Sequence, residues 1–374
     1  MIYLDNAATG GFKPRAVTDA VENVIRYLCA NPGRSSHRLA VTGAEIVYST
    51  RKGFSELFNC QPERVIFTKN CTEALNVAIF GCLRVKGHII TTVYEHNSVL
   101  RPLITLKNKG LISLDIVAPT DSKDIADVIN EKIIPSTYMV VTSALSNVTG
   151  EKLPIQKIAK ICKDRNLIYL VDGAQAGGHI PISVKDSGIS MLALAGHKGL
   201  YGIMGSGVLI LNDNVEVMPL IHGGTGSESF NLTQPSNYPE RLESGTLNLP
   251  AIASLNESVR YVSNNLTTFS KLLFNATKDL IYHLNQFEGI KTYSHPNEAG
   301  IVSFETLNFD CNEVADILSN DYDIAVRSGF HCAPLIHKKL KTDKKGLIRV
   351  SLCVQNTSRE INAFLRALAN IISN

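Results

Sequence analysis

Short apolar runs alternate along the first two thirds of the chain with segments whose apolar residues recur every three to four positions. Such runs predict strands, and such periodic segments predict helices. Strands are predicted at 64–68, 88–93, 137–143, 167–171, 190–195 and 207–211, and helices at 15–28, 41–58, 72–82 and 155–164. Continuous apolar strands separated by amphipathic helices are typical of a mainly parallel sheet that is covered on both faces.

The pattern changes after residue 211. A Gly-rich loop at 222–229 and a long irregular stretch that contains 241–246 come first. The remaining predicted elements are a helix at 251–284, strands at 300–304, 325–327 and 347–352, and an amphipathic helix at 360–372. A loop of this length in a compact protein is usually functional or part of a subunit contact.

The length of 374 residues favours two lobes over one minimal domain. We expect a large α/β domain at 15–255. We expect the segments 1–14 and 256–374 to form a smaller α+β domain, with the helix at 251–284 as the bridge between the two.

Polar side chains follow several of the predicted strands. His96, Asn147, Asp172, Gln175 and Lys198 all come at or just after strand ends. In parallel sheets, ligands bind at the carboxyl ends of the strands, so these five side chains are expected to converge. An ammonium group that loses hydration there has a lowered pKa and becomes a usable nucleophile.

The surroundings of this lysine add further expectations. The glycines around Lys198 are interpreted as room for a bulky ligand, and Gly199 as a residue that loosens the loop. Thr72 lies near the start of a predicted helix, where free N–H groups and the helix dipole favour an anion. A lysine, an aspartate, a histidine and a helix start that can hold a phosphate together suit pyridoxal phosphate.

Composition limits the classes of function. The chain has 37 Lys and Arg against 34 Asp and Glu, a net charge of +3, which is too small to indicate a nucleic-acid partner. The lysine-rich run at 338–345 is interpreted as a solvated loop. The start has no basic and apolar leader pattern, and no apolar stretch approaches the ~20 residues of a membrane helix. We therefore expect a cytoplasmic protein with no membrane partner.

The eight cysteines are scattered, and none forms a Cys-x-x-Cys pair. Neither a metal site nor a disulfide framework is predicted, and a reducing compartment fits. Most are expected to be small core residues. Cys332 differs because Gly329 and Pro334 mark a turn around it, and Arg327 and His331 are near in sequence. A thiol beside cations loses its proton more readily, so Cys332 is the candidate nucleophile.

These motifs together resemble those of the cysteine desulfurase family, which has the class V aminotransferase fold, and also its selenocysteine lyase branch. The matching stretches are Tyr3–Ala8, Cys71–Asn76, Glu95–His96, Ser146–Gly150, Val171–Gln175, Gly196–Lys198, Glu243–Thr246, Arg327–Cys332 and Arg349–Leu352. They extend over nearly the whole chain. The resemblance implies the fold of type I pyridoxal-phosphate transferases, with a large, mainly parallel domain and a smaller C-terminal domain.

The resemblance also implies roles for individual residues. Lys198 would form the Schiff base and carry the proton at the substrate Cα, and Cys332 would accept the sulfur. His96 would stack on the ring and assist proton transfer. The remaining cofactor contacts would come from Cys71, Thr72, Asn147, Asp172, Gln175, His197, Thr225 and Thr246, and the substrate contacts from His37, Asn147 and Arg349.

Thr246, Thr225 and Arg349 need a further word each. Thr246 would reach the phosphate in a neighbouring subunit, which implies a homodimer. Ala195 stands where the family often has a phosphate-binding serine, and Thr225 is the candidate replacement. The planar guanidinium of Arg349 can hold a substrate carboxylate through two parallel hydrogen bonds.

The activity implied is conversion of L-cysteine to L-alanine, with the sulfur left as a persulfide on Cys332. Pyridoxal 5′-phosphate would be the cofactor, and a sulfur-acceptor protein a possible partner. The alternatives are a selenocysteine lyase, a cysteine sulfinate desulfinase, an aminotransferase of the same fold, and a sulfur carrier or scaffold without turnover. The sequence leaves the downstream acceptor and the choice among these substrates open.

Overall fold

The computed structural model describes residues 1–373, which form a mixed α/β structure. The strands are β1 (Ile2–Tyr3), β2 (Val65–Thr68), β3 (Gly87–Thr92), β4 (Ile112–Val117), β5 (Thr137–Ser143), β6 (Ile168–Asp172), β7 (Met191–Ala195), β8 (Gly207–Leu211), β9 (Ile290–Thr292), β10 (Ile301–Thr306), β11 (Ile324–Ala325), β12 (Arg327–Gly329) and β13 (Leu347–Ser351). The helices are α1 (Arg15–Tyr27), α2 (Arg38–Phe58), α3 (Cys71–Gly81), α4 (Asn97–Asn108), α5 (Ile125–Glu131), α6 (Ile155–Asp164), α7 (Val184–Ser187), α8 (Leu249–Leu284), α9 (Cys311–Tyr322), α10 (Pro334–Leu340) and α11 (Ser358–Ser373).

The largest sheet has seven strands in the order β2-β8-β7-β6-β5-β3-β4. Five of its strands, β4, β3, β5, β6 and β7, pair in parallel, and β8 runs antiparallel to both of its neighbours. The predicted mainly parallel sheet is therefore confirmed. Strands β5, β7 and β8 are buried along their whole length because helices cover both faces.

A second, four-stranded antiparallel sheet has the order β12-β13-β10-β9. A separate apolar cluster forms around it from Leu273 onward and includes Leu4 from the N-terminal segment. The 36-residue helix α8 reaches from the core of the large sheet to this second cluster. We propose on this basis that the chain has the two predicted domains, 15–255 and 1–14 with 256–374.

Several elements differ from the sequence prediction. The lysine-rich run at 338–345 was predicted to be a loop, but its first part belongs to α10, which begins with Pro334 in its first turn. The single strand predicted at 325–327 is split, because β11 pairs with β1 and β12 pairs with β13. The edge strand β4 and the helix α9 were not predicted from the sequence.

Residues 1–373 contain neither a membrane-spanning helix nor a cluster of metal ligands. No helix in this part of the chain combines the length and apolarity needed to cross a membrane. No cluster of three or more His, Cys, Asp or Glu side chains there is arranged to hold a metal ion. All eight cysteines are free thiols, and four of them, including Cys71, are buried.

Candidate active site

A cavity of about 190 Å³ lies at the carboxyl ends of the parallel strands. It brings together eight of the side chains predicted to form a site: Cys71, Thr72, His96, Asn147, Asp172, Gln175, His197 and Lys198. Asn70, Ser98, Ser143, Leu145, Ala174 and Ala195 complete the lining. The convergence expected from the parallel sheet is therefore present, although the eight predicted residues lie as far as 127 positions apart in sequence.

Lys198 lies in the turn that follows β7 and reaches the cavity. Among the described residues, none forms a hydrogen bond or an ion pair with its ammonium group. Burial lowers the pKa of Lys198, with Asp172 opposing the shift. The expected direction of the pKa shift is thus present, and the amine is free to react with a ligand.

The glycines around this lysine have another role than the sequence suggested. A Cβ on Gly199 would lie 2.5 Å from Gly177 O, and one on Gly196 would overlap the Ser206 side chain. The interpretation of these glycines as space for a ligand, and of Gly199 as loosening the loop, is wrong. They allow neighbouring chain segments to pack closely and so hold the lysine turn in place.

Asp172 ends β6 and is 5% exposed. Its Oδ1 accepts a hydrogen bond from Ala174 N at 2.9 Å and lies 3.5 Å from Cys71 Sγ. No described residue donates to Oδ2, which leaves this oxygen available to a cationic ligand group. Burial, followed by the charge of Asp172, raises the pKa of Cys71 well above its ordinary value, so Cys71 stays a thiol.

His96 caps the N-terminus of α4. Its Nδ1 accepts from Ser98 N at 3.1 Å and lies 2.8 Å from Ser98 Oγ. Burial lowers the pKa of His96 to about 4, against the opposing effect of Asp172. The imidazole is therefore neutral near pH 7, with its Nδ1 held in a fixed orientation.

The opposite side of the cavity is suited to an anion. The Asn70 side chain caps α3 by accepting from Glu73 N at 2.9 Å. The first N–H groups of the helix, at Cys71 and Thr72, then have no intrahelical partner and border the cavity. His197 hydrogen-bonds Thr9 Oγ1 at 3.0 Å, and burial, followed by the charge of Lys198, lowers the pKa of His197 to about 4.

Gln175 supplies a polar atom that has no partner. Its Nε2 donates to Ala7 O at 3.0 Å, whereas its Oε1 is buried without a hydrogen bond inside residues 1–373. Buried acceptors in native proteins are almost always satisfied. A ligand hydroxyl in the cavity is therefore the fitting partner for this oxygen.

Cys332 lies on a turn beside this cavity and is exposed to solvent. His331 and Cys332 both have left-handed φ values, 49° and 57°. The turn is fixed by hydrogen bonds from Asn97 N to Cys332 O at 2.8 Å and from Asn147 Nδ2 to His331 O at 2.7 Å. Arg327 Nη2 is 3.6 Å from Cys332 Sγ. The thiol is thus accessible and close to a cation, although it does not line the cavity itself.

Arg349 is nearly fully buried on β13 and lies outside the cavity lining. It donates to Asp5 Oδ1 and to Asn147 O, both at 2.9 Å. Its Nε is buried without a hydrogen-bond partner among the described residues. The guanidinium therefore already holds one carboxylate of this chain, and its role towards a substrate stays a prediction.

Besides Cys332 and Arg349, three further predicted site residues lie away from the cavity. His37 is exposed and caps α2 by accepting from Ala40 N at 3.3 Å. Thr246 accepts from Asn31 Nδ2 at 3.3 Å, and Thr225 hydrogen-bonds within its own loop. Within one chain, none of the three lines the cavity around Lys198, so their contact with a ligand stays a prediction.

Glu95 was not assigned a role from the sequence. It is fully buried and accepts from Thr92 Oγ1 at 2.5 Å and from Ser143 Oγ at 2.8 Å. Burial raises the pKa of Glu95 to about 8, which makes it a neutral hydrogen-bonding group next to His96. Its position directly after a buried strand was the signal that could have revealed it.

The family model of class V aminotransferases matches residues 2–364. The chain is 33% identical to a probable cysteine desulfurase of Pyrococcus abyssi, covering 100% of this chain and 94% of that protein. It is 30% identical to a probable cysteine desulfurase of Methanothermobacter thermautotrophicus, covering 99% and 94%. The apo structure of the cysteine desulfurase from Thermococcus onnurineus NA1 matches with a TM-score of 0.92 and 30% identity, covering 100% and 94%.

Proposed function

The chain belongs to the class V aminotransferase family, and from this premise we propose that it is a cysteine desulfurase dependent on pyridoxal 5′-phosphate. The proposal rests on the presence of two reactive groups in one region. Lys198 is a buried amine without a hydrogen-bond partner among the described residues, and Cys332 is an exposed thiol on a turn. The turn is hydrogen-bonded to Asn97, the residue that follows His96 in the cavity wall.

The residues of the cavity fit this cofactor. The start of α3, with the Cys71 and Thr72 N–H groups, suits a phosphate. The free Oδ2 of Asp172 suits a protonated ring nitrogen, and Gln175 Oε1 suits the ring hydroxyl. Lys198 is the one lysine of the cavity lining, and it suits the aldehyde. When bound, the cofactor supplies an electron sink for the bond cleavages at the substrate amino acid.

The side chains of the cavity perform the proton transfers and hold the ligand in position. Lys198 Nζ takes the proton from Cα of bound L-cysteine and later returns a proton to the product; its lowered pKa suits both transfers. Asp172, held through Oδ1, would hold the cofactor's ring nitrogen through its free Oδ2. His96 is neutral and held at Nδ1, so it forms a fixed wall of the cavity.

Cys332 carries the sulfur transfer. Its thiolate attacks the substrate sulfur, a new S–S bond forms, and the substrate C–S bond breaks with its electron pair staying on carbon. That carbon takes up a proton, and the fragment leaves as L-alanine. Arg327 Nη2 is 3.6 Å from Sγ and helps to hold the sulfur in position before attack.

We also propose that the protein acts as a homodimer. Phe230 and Leu232 are fully exposed, and Leu220 and Ile221 are each almost half exposed on the same long loop region. Exposed apolar side chains in such number are typical of an interface. A second copy would cover them, and Thr246 and Thr225 lie in the same segment, which supports their predicted role at the neighbouring subunit. Eight free thiols suit the proposed cytoplasmic location.

The test is an assay of alanine and sulfide from L-cysteine by the cofactor-loaded protein, with and without a thiol reductant. We expect one alanine per sulfide with the reductant, and alanine with a protein-bound sulfur without it. The same assay with selenocysteine and cysteine sulfinate ranks the substrates. A protein that binds the cofactor but forms no alanine from L-cysteine contradicts the proposal.

A further inference from the structure

The peptide bond that leads into Lys198 is held by an unusual number of donors. The carbonyl oxygen of His197 accepts hydrogen bonds from Gly10 N at 2.9 Å, Lys13 Nζ at 3.2 Å and Thr9 Oγ1 at 3.3 Å. A carbonyl oxygen has two lone pairs, so three donors exceed its ordinary capacity. All three donors come from residues 9–13, which therefore form a dedicated contact with the backbone of the reactive lysine.

The same short segment also packs against the lysine turn through its own backbone. A Cβ on Gly10 would lie 3.1 Å from Lys198 O and 3.4 Å from His197 O. Thr9 Oγ1 is in addition 3.0 Å from His197 Nδ1, so one hydroxyl contacts both the backbone and the side chain of residue 197. Neither Thr9 nor Gly10 lines the cavity. The lysine turn is therefore held from outside the space that a ligand would occupy.

Residues 9–13 are in turn anchored on strands outside the seven-stranded sheet. Leu4 N donates to Ala325 O of β11 at 2.9 Å. Asn6 Nδ2 donates to Ser351 O of β13 at 2.9 Å, and Asn6 Oδ1 accepts from Gly11 N at 3.0 Å. The N-terminal segment thus connects β11 and β13 to the peptide that precedes Lys198.

Lys13 is the charged member of this contact. It is half-buried, forms no ion pair with a described residue, and donates to His197 O alone. Burial lowers the pKa of Lys13 to about 8, with Cys353 opposing the shift. A partly buried ammonium group without a carboxylate partner is unfavourable unless a hydrogen bond compensates for the lost hydration. The bond to His197 O supplies that compensation, and a charged donor makes it stronger than the two neutral ones.

Resting on the proposed function, we propose that Lys13 is a positioning residue for Lys198. Its ammonium group fixes the peptide between His197 and Lys198 and so determines where the reactive amine can reach. That amine has to reach first the aldehyde of a bound cofactor and then Cα of the substrate, so its backbone has to stay in place while its side chain moves. A misplacement of about 1 Å can cost about 100-fold in rate.

Two substitutions of Lys13 test this role. Lys13→Met keeps an unbranched apolar side chain and removes the charged donor, whereas Lys13→Arg restores a charged donor. Lys339→Met is the matched control, because Lys339 also lacks an ion pair among the described residues, donates to Tyr94 OH at 3.1 Å and has a pKa that burial lowers.

Three measurements are made on each variant as the full chain. The first is the rate at which the cofactor-free protein takes up pyridoxal 5′-phosphate, followed by absorbance. The second is kcat and KM for alanine formation from L-cysteine by the loaded protein, and the third is urea unfolding.

We expect Lys13→Met to slow cofactor uptake and to lower kcat, each about 10-fold, the effect of one charge-assisted hydrogen bond. KM for L-cysteine should change less than about twofold, because Lys13 does not line the cavity. Lys13→Arg should recover at least about half of both rates, and Lys339→Met should retain them. If Lys13→Met does not fold, Thr9→Val decides, because it removes a neutral donor from the same oxygen and should lower kcat about threefold.

Unchanged uptake and kcat in a folded Lys13→Met protein would overturn the inference. So would equal losses in Lys13→Met and Lys13→Arg, because the charged donor would then not be the cause, or a rise in KM with kcat unchanged. These outcomes leave the proposed function standing, provided that the wild type forms alanine from L-cysteine. A wild type that takes up the cofactor with a rate that depends on Lys13, yet forms no alanine, refutes the desulfurase activity and supports the positioning role. A wild type that takes up no cofactor refutes both.

Discussion

Cys71 Sγ lies 3.5 Å from Asp172 Oδ1, on the oxygen that also accepts from Ala174 N at 2.9 Å. Both donors act on the same oxygen and leave Oδ2 without a partner among residues 1–373. A carboxylate held in this way presents one oxygen to the cavity in a fixed orientation. Cys71, which is buried and stays protonated, is therefore a positioning residue for Asp172.

Replacing Cys71 tests this contact. Cys71→Ala removes one hydrogen bond to a charged group, a loss of about 1 kcal/mol, and should lower kcat for alanine formation about fivefold. Cys71→Ser retains a donor and should recover most of the rate. Steady-state kinetics and the cofactor absorbance band are the measurements. Equal kcat values in the alanine variant and the wild type would refute the positioning role.

Replacing Cys332 separates sulfur transfer from cofactor binding. Cys332→Ala removes the only thiol of the exposed turn, so no protein persulfide should form from L-cysteine. The residue does not line the cavity, so the cofactor absorbance should persist. Mass spectrometry after L-cysteine treatment detects one added sulfur atom. Cys29→Ala is the matched control, since Cys29 is also exposed but lies at the end of α1. Full desulfuration by Cys332→Ala would exclude this thiol as the nucleophile.

Glu95 predicts a pH dependence of stability. Its pKa in the folded protein, about 8, lies above the ordinary value of 4.5 because the carboxyl group is buried. The folded state therefore binds the extra proton between these values, and stability from Glu95 is fully present below pH 4.5 and lost as the pH rises towards 8. Glu95→Gln keeps the size and remains neutral, so it should remove this loss.

The expected gain from Glu95→Gln is about 2–3 kcal/mol in the free energy of unfolding at pH 7, and little at pH 4.5. Urea unfolding of the wild type and the variant between these pH values measures it. Glu298→Gln, at a partly exposed ion pair with Lys152, is the control and should show no such trend. A gain that does not change with pH would contradict a protonated Glu95.

Sequence patterns predicted the site better than its surroundings. A polar residue that follows an apolar strand can be recognised in the sequence alone. Because a parallel sheet places the carboxyl ends of its strands at one edge, the proximity of Asp172 and Lys198 follows from that pattern. The direction of β8 was not visible, because apolar periodicity is the same for parallel and antiparallel strands. The edge strand β4 was missed because the strands were predicted from continuous apolar runs, whereas Ser113 and Asp115 interrupt the apolar residues of β4.

Contacts between distant segments could not be predicted in the same way. The partner of Arg349 is Asp5, 344 residues earlier, and nothing in the local pattern links the two. The glycines around Lys198 look the same in sequence whether they leave space for a ligand or for a neighbouring strand of chain.

The ion pair of Asp5 and Arg349 predicts a large effect on stability. The guanidinium is 1% exposed and the carboxylate 19% exposed, at 2.9 Å. Asp5→Asn leaves a buried guanidinium without its charge partner and should cost about 3 kcal/mol. Urea unfolding measures the loss, and Asp19→Asn, at the exposed pair with Arg15, is the control. A loss no greater than that of the control would mean that the pair is not formed in solution.

The close packing around Gly199 predicts that a larger residue there displaces the turn that carries Lys198. A Cβ there would lie 2.5 Å from Gly177 O and 2.6 Å from His179 Cε1, and both neighbours are buried. Gly199→Ala should therefore displace the turn, lower the free energy of unfolding by about 1–3 kcal/mol and slow the reaction of Lys198 with added pyridoxal 5′-phosphate. Gly223→Ala is the matched control, because its Cβ would meet nothing nearer than 3.8 Å. Equal stability and equal rates of cofactor uptake in the two variants would mean that the turn is as loosely packed as the sequence suggested. A loss confined to Gly199→Ala would mean that close backbone contact holds the reactive amine in position.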